Sequence, residues 1–125
     1  MEKIKKILIA DDDHSIHELL GLVLHNNKFV IIHAYDGLQA REYIERYQPD
    51  LVVLDIMMPC LDGRDLCREL RQNKETENLK ILMLSGRTEQ VDRRLGLEVG
   101  ADDYETKPFS PHHLARKIER MCGQA

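Results

Sequence analysis

The sequence predicts an α/β fold, five βα units around one parallel sheet, and three observations carry that expectation. Short apolar runs rich in β-branched residues alternate with longer segments of helical period along all 125 residues. One run, Leu51-Val52-Val53-Leu54, is apolar at every position, which suits a central strand covered by helices on both faces. Acids or amines stand at the ends of three of the five runs, and the carboxyl ends of parallel strands are where an open α/β sheet binds ligands.

Taken in order, Ile7-Leu8-Ile9-Ala10 makes the first predicted strand, 7–10, which stops at Asp11, and helical period takes over across 16–24. The second strand, 30–35, ends in the mixed stretch Ile31-Ile32-His33-Ala34-Tyr35, suited to a sheet edge, and helix 38–47 follows. The third, 51–55, ends on Asp55 before helix 63–72. The fourth, 81–85, runs into Ser85-Gly86 and helix 90–99; the fifth, 103–106, precedes Lys107-Pro108. In the last helix, 111–121, Leu114, Ile118 and Met121 recur at spacings of four and three, an apolar stripe with Arg116, Lys117 and Glu119 away from it. Ser110 supplies its N-cap, Pro111 its first position and Gly123 its stop.

Composition narrows the function classes. Residues 1–125 suit one domain, and 42% apolar with 32% charged residues is a soluble globular balance. The longest apolar runs fall far short of the roughly 20 residues that cross a bilayer. Behind the basic N-terminus the apolar stretch stops at Asp11, too short for a signal-peptide core, so the expected location is cytoplasmic. A net charge of −4 argues against nucleic-acid binding by this segment. Cys60, Cys67 and Cys122 are an odd set without a CxxC pair, which suggests neither a disulfide framework nor a zinc site.

Asp11, Asp12 and Asp13 after the first strand, Asp55 ending the third, Ser85 ending the fourth and Lys107 after the fifth lie at separate strand ends. They are expected to converge in one shallow pocket. Carboxylates so close repel one another and require a cation, and a set offering only oxygen ligands favours a hard ion such as Mg²⁺ over zinc. A metal, an ammonium, a hydroxyl and a nucleophilic carboxylate together suit a phosphoryl group. Asp13 is expected instead to cap the first helix.

The acidic pair Asp11-Asp12, the stretch Asp55-Ile56-Met57-Met58-Pro59 and the late stretch from Gly100 through Tyr104 to Lys107-Pro108-Phe109 resemble, in that order and spacing, the receiver domains of bacterial two-component response regulators. The resemblance covers nearly the whole chain. It implies a doubly wound, flavodoxin-like five-stranded sheet of order 2-1-3-4-5. It implies that Asp55 accepts a phosphoryl group, that Asp12 and Asp55 ligate Mg²⁺ with the backbone carbonyl of Met57, and that Asp11 holds a metal-bound water. Lys107, before a cis bond to Pro108, would pair with a phosphoryl oxygen. Ser85 and Tyr104 would form the switch, Ser85 drawn inward on phosphorylation while Tyr104 turns from exposed to buried. The implied donor is a phosphohistidine on a sensor histidine kinase or phosphotransfer protein, and Met57 and Arg87 would flank the acceptor and tune loss of the phosphate.

Within that family, 87–100 followed by Ala101-Asp102-Asp103-Tyr104 looks closest to receivers of winged-helix transcription factors, which dimerise through their fourth helix, fifth strand and fifth helix. By that resemblance Arg93, Asp102, Asp103 and Lys117 mark a possible homodimer face. His113 stands where an acid is usual, Glu119 where a base is usual, and Lys117 replaces an arginine, changes that weaken a charge-paired interface. His14, His17, His112 and His113, near helix starts, are read as solvated. An aspartate-nucleophile phosphatase would carry a second acid where this chain has Met57, and a flavodoxin-like redox protein would carry a phosphate loop where this chain has three aspartates. The remaining alternative is a pseudo-receiver, an interaction module with the fold but no phosphotransfer.

Overall fold

Five parallel strands, β1 (Lys5–Ala10), β2 (Phe29–Ala34), β3 (Leu51–Asp55), β4 (Lys80–Ser85) and β5 (Asp103–Thr106), form one sheet in the order β2-β1-β3-β4-β5. This is a computed structural model, and it describes residues 5–24, 28–86 and 98–123. The order puts the uniformly apolar β3 in the middle and the mixed β2 at an edge, as their compositions predict. Ala10 lies opposite Leu54 and Asp55 opposite Leu84. The carboxyl ends of β1, β3 and β4 therefore meet along one rim.

Side chains alternate across the strands and divide the core in two. Leu8, Val52, Leu54, Ile81 and Met83 pack with Ala40 and Ile44 of α2 (Gly37–Tyr47) and Leu66, Cys67 and Leu70 of α3 (Gly63–Gln72). Ile7, Ile9, Leu51, Val53, Leu82 and Leu84 pack on the other face, with Ile16 and Leu20 of α1 (His14–Val23) and Leu114, Ala115 and Ile118 of the C-terminal helix (Pro111–Met121). Each such buried aliphatic side chain stabilises the fold by about 1.5–3 kcal/mol.

Caps and turns set the boundaries where apolar period alone misplaces them. The Asp13 carboxylate accepts from the Ser15 N–H, so α1 starts at His14, two residues before the expected 16. Asp36 accepts from Gln39 N–H and starts α2 at Gly37. The second strand spans Phe29–Ala34, not 30–35, because the Tyr35 N–H leaves the ladder for the Gln39 side chain, 2.8 Å away. Strands β1 and β4 start at Lys5 and Lys80, two residues and one residue before the expected 7 and 81. Helix α3, β3, β5 and the C-terminal helix keep their expected bounds. The helix expected at 90–99 lies outside the described residues except for Glu98 and Val99, as do Arg87 and Arg93.

Arg71, at the end of α3, ties the base of β4 to the start of β5. Its guanidinium donates to the carbonyls of Glu77, Leu79 and Gly100 at 3.1, 2.6 and 2.8 Å and to Asp102 at 2.9 Å. Among the described residues, no helix is long and apolar enough to cross a membrane.

Candidate functional site

The rim collects the acids that the sequence distributes over two strands. Asp11 follows β1 and is fully buried, Asp12 beside it is exposed, and Asp55, the last residue of β3, is 5% exposed. One carboxylate oxygen from each lies within 4.8 Å of the other two. The Lys107 ammonium reaches in from the end of β5, 2.7 Å from Asp11 Oδ2 and 3.6 Å from Asp55 Oδ2. Its place is fixed by strand pairing: Ser85 lies opposite Thr106, and the Ser85 carbonyl accepts the Lys107 N–H at 2.6 Å. Ser85 is itself buried at the end of β4, and the Lys107–Pro108 bond is cis, as the resemblance implies.

Local contacts hold the acids. Asp11 Oδ1 accepts from the Asp13 N–H at 2.9 Å, and Asp55 Oδ1 receives the Met57 N–H at 3.4 Å. Asp13 points away as a cap, as expected. Helix α3 begins against the acceptor strand: the Gly63 N–H donates to Ile56 O at 2.8 Å, and a Cβ on Gly63 would stand 2.3 Å from the Asp55 carbonyl oxygen. Only glycine permits that approach.

The electrostatics show what the cluster lacks. Burial and then the neighbouring Asp11 charge push the Asp55 carboxyl up to about 6, only partly opposed by Lys107. Burial alone would depress Lys107, but Asp11 and Asp55 outweigh it and hold the ammonium above its ordinary value. A single ammonium thus shares two buried acids, and among the described residues no aligned hydrogen-bond donor meets Asp11 Oδ2. Three carboxylates with oxygen donors alone fit a hard divalent cation such as Mg²⁺.

The remaining expected residues are placed as follows. Tyr104 is 3% exposed and packs in the α2–α3 core. Met57 is 58% exposed beside the acceptor. Of the possible dimer face, Asp102 is bound by Arg71, while Lys117 lies 3.6 Å from Asp103 and is hydrogen-bonded to Glu105. These charges are paired within the chain.

One sequence expectation is corrected. His17 is not solvated but 4% exposed, its Nε2 lying 2.7 Å from the Asp11 carbonyl oxygen and its Nδ1 2.7 Å from His33 Nδ1. Helix α1 turns this position toward β2 and the site, and Tyr35 closes over the ring at 4.3 Å between centroids. Burial, then the His17 ring, hold His33 below the ordinary histidine value. His14 is exposed but stacked on Tyr35 at 4.5 Å, and His112 and His113 are exposed.

Comparison with known proteins agrees with this arrangement. A family model described as the response regulator receiver domain matches residues 7–119. The alkaline phosphatase synthesis transcriptional regulatory protein PhoP of Bacillus subtilis (strain 168) is 47% identical over 121 residues, covering 97% of this chain and 50% of that protein. The chain thus spans about half the length of this curated relative. Among solved structures, a response regulator from Chloroflexus aurantiacus J-10-fl is 35% identical with a TM-score of 0.90, covering 97% of this chain and 99% of the other. The Francisella response regulator 1452 receiver domain is 33% identical with a TM-score of 0.87, covering 96% and 98%.

Proposed function

Because the chain belongs to the response regulator receiver domain family, we propose that it takes a phosphoryl group onto Asp55 from a phosphohistidine donor and passes the signal on by a change of shape. The observation that carries the reading is the Asp55 carboxylate at the end of the central strand, with Asp11 and Asp12 within 4.8 Å and an ammonium 3.6 Å away. An Asp55 oxygen attacks phosphorus in line, the donor's N–P bond breaks, and an acyl phosphate remains. Lys107, already between Asp11 and Asp55, offers its ammonium to a transferring oxygen.

Asp11, Asp12, Asp55 and the Met57 carbonyl would hold Mg²⁺, which when bound offsets the carboxylate repulsion and stabilises charge developing on the transferring oxygens. The donor is a sensor histidine kinase or phosphotransfer protein. Ser85 supplies a hydroxyl toward the phosphoryl group, and Tyr104 is the residue that follows it. Phosphorylation would act by changing the populations of the outward and inward Tyr104 arrangements, the inward one being compatible with the packing of the Tyr104 ring in the core. Homodimerisation through Asp102, Asp103 and Lys117, with Arg93, would require Asp102, Asp103 and Lys117 to exchange intrachain partners for intermolecular ones.

Intact mass after incubation with acetyl phosphate, with and without Mg²⁺, tests the proposal on the wild type and Asp55→Asn. The expected result is one Mg²⁺-dependent phosphoryl adduct, absent from the variant. No adduct under conditions that modify another receiver domain would favour the pseudo-receiver.

A further inference from the structure

We propose that His17 is a positioning residue for the acidic pair, its ring holding the main chain at Asp11 while His33 of the edge strand holds the ring. The inference rests on the reading of Asp11, Asp12 and Asp55 as a Mg²⁺ site. It starts from two contacts of 2.7 Å on one buried ring, Nε2 to the Asp11 carbonyl oxygen and Nδ1 to His33 Nδ1.

Hydrogen-bond chemistry orders the protons along this chain. A carbonyl oxygen only accepts, so His17 Nε2 carries the hydrogen. In a neutral His17 ring Nδ1 then has only a lone pair to offer, and His33 Nδ1 must donate to it. The relay runs from β2 through His33 and His17 to Asp11. Tyr35 packs on His17 at 4.3 Å and stacks on His14 at 4.5 Å with an interplanar angle of 18°, so the ring has little room to turn.

The anchored atom matters more than the ring. The Asp11 carbonyl belongs to the peptide that joins Asp11 to Asp12, so its direction sets where the Asp12 side chain departs from the main chain. The N–H of Asp11 is bound to Ala34 O at 3.1 Å, and Asp11 Oδ1 to the Asp13 N–H. With the His17 bond, both ends of the residue are held, the N–H by β2 and the carbonyl by α1. Loss of that bond leaves a buried carbonyl unpaired and frees the peptide plane to rotate. The three oxygens then no longer start from a fixed geometry, and cation affinity falls although every acid remains.

The test measures Mg²⁺ binding to the unphosphorylated protein by calorimetry for the wild type, His17→Leu, His17→Gln and His33→Leu, with urea midpoints as folding controls. Removal of the donor in His17→Leu is expected to weaken Mg²⁺ roughly tenfold. His17→Gln, which can donate its amide to the same carbonyl, should recover most of the loss, and His33→Leu should fall between them. In the wild type, nitrogen NMR should find His17 protonated at Nε2, with a scalar coupling across the bond between the two Nδ1 atoms. Unchanged Mg²⁺ affinity in folded His17→Leu, equal losses in the Leu and Gln variants, or an unprotonated Nε2 would overturn the role while leaving the metal site standing. A wild type that binds no Mg²⁺ would overturn both readings.

Discussion

Asp55→Asn should make the metal-free protein more stable. In the folded chain, burial and the Asp11 charge raise the Asp55 carboxyl from its ordinary 3.8 to about 6. A carboxyl whose value rises on folding binds its proton more tightly in the native state, so the native state loses stability as pH climbs through that interval. Below about pH 4 the effect vanishes, because Asp55 is protonated whether folded or not. Above about pH 6 it is complete, and the difference corresponds to about 2–3 kcal/mol. Asparagine keeps the shape and removes the charge, so it should recover most of that amount. With an ordinary urea dependence for a small domain, the midpoint in EDTA at pH 7.5 should rise by about 1–2 M. The gain should fade as pH falls from 6 to 4, and saturating Mg²⁺ should narrow it by stabilising the wild type more. A variant no more stable than the wild type at pH 7.5 without divalent ions, or a gain independent of pH, would refute the account of crowded carboxylates.

Three further outcomes follow from contacts. Lys107→Met removes the ammonium that touches both buried acids, and its phosphorylation rate with acetyl phosphate, followed by mass, should fall at least about 100-fold; its Mg²⁺ affinity, measured by calorimetry, should not weaken. Met57→Asn replaces an exposed apolar side chain beside the acceptor with one that can orient water, so the acyl phosphate should decay several-fold faster in a decay time course. Arg71→Leu forfeits the bonds to Glu77, Leu79, Gly100 and Asp102 and should cost about 3 kcal/mol in urea denaturation.

The fold was legible where the physics is local. Four apolar residues at Leu51–Leu54 announce a doubly covered strand because a parallel sheet buries both faces. The acids of the site were legible for a related reason, since strand ends are the places where a parallel sheet exposes chemistry. Element starts were less so: apolar period alone begins α1 and α2 at their stripes, and although Asp13 was legible as a cap by its residue type, Asp36 was not. Contacts across the fold away from the strand ends were not legible. His17 meets a partner 16 residues away, and Arg71 meets Asp102 across 31, so neither has a neighbour in sequence that signals the bond. The close approach of Gly63 to Asp55 is likewise invisible until α3 is docked, although an Asp-Gly pair before a helix hints at a tight start.

The most direct test of the central claim locates the phosphoryl group. After phosphorylation with acetyl phosphate and Mg²⁺, borohydride reduces an acyl phosphate of aspartate to homoserine, and peptide mass spectrometry reads the position. The account predicts homoserine at residue 55 and nowhere else. Homoserine at Asp11, Asp12 or Asp13, or a phosphorylated protein that yields none, would contradict it.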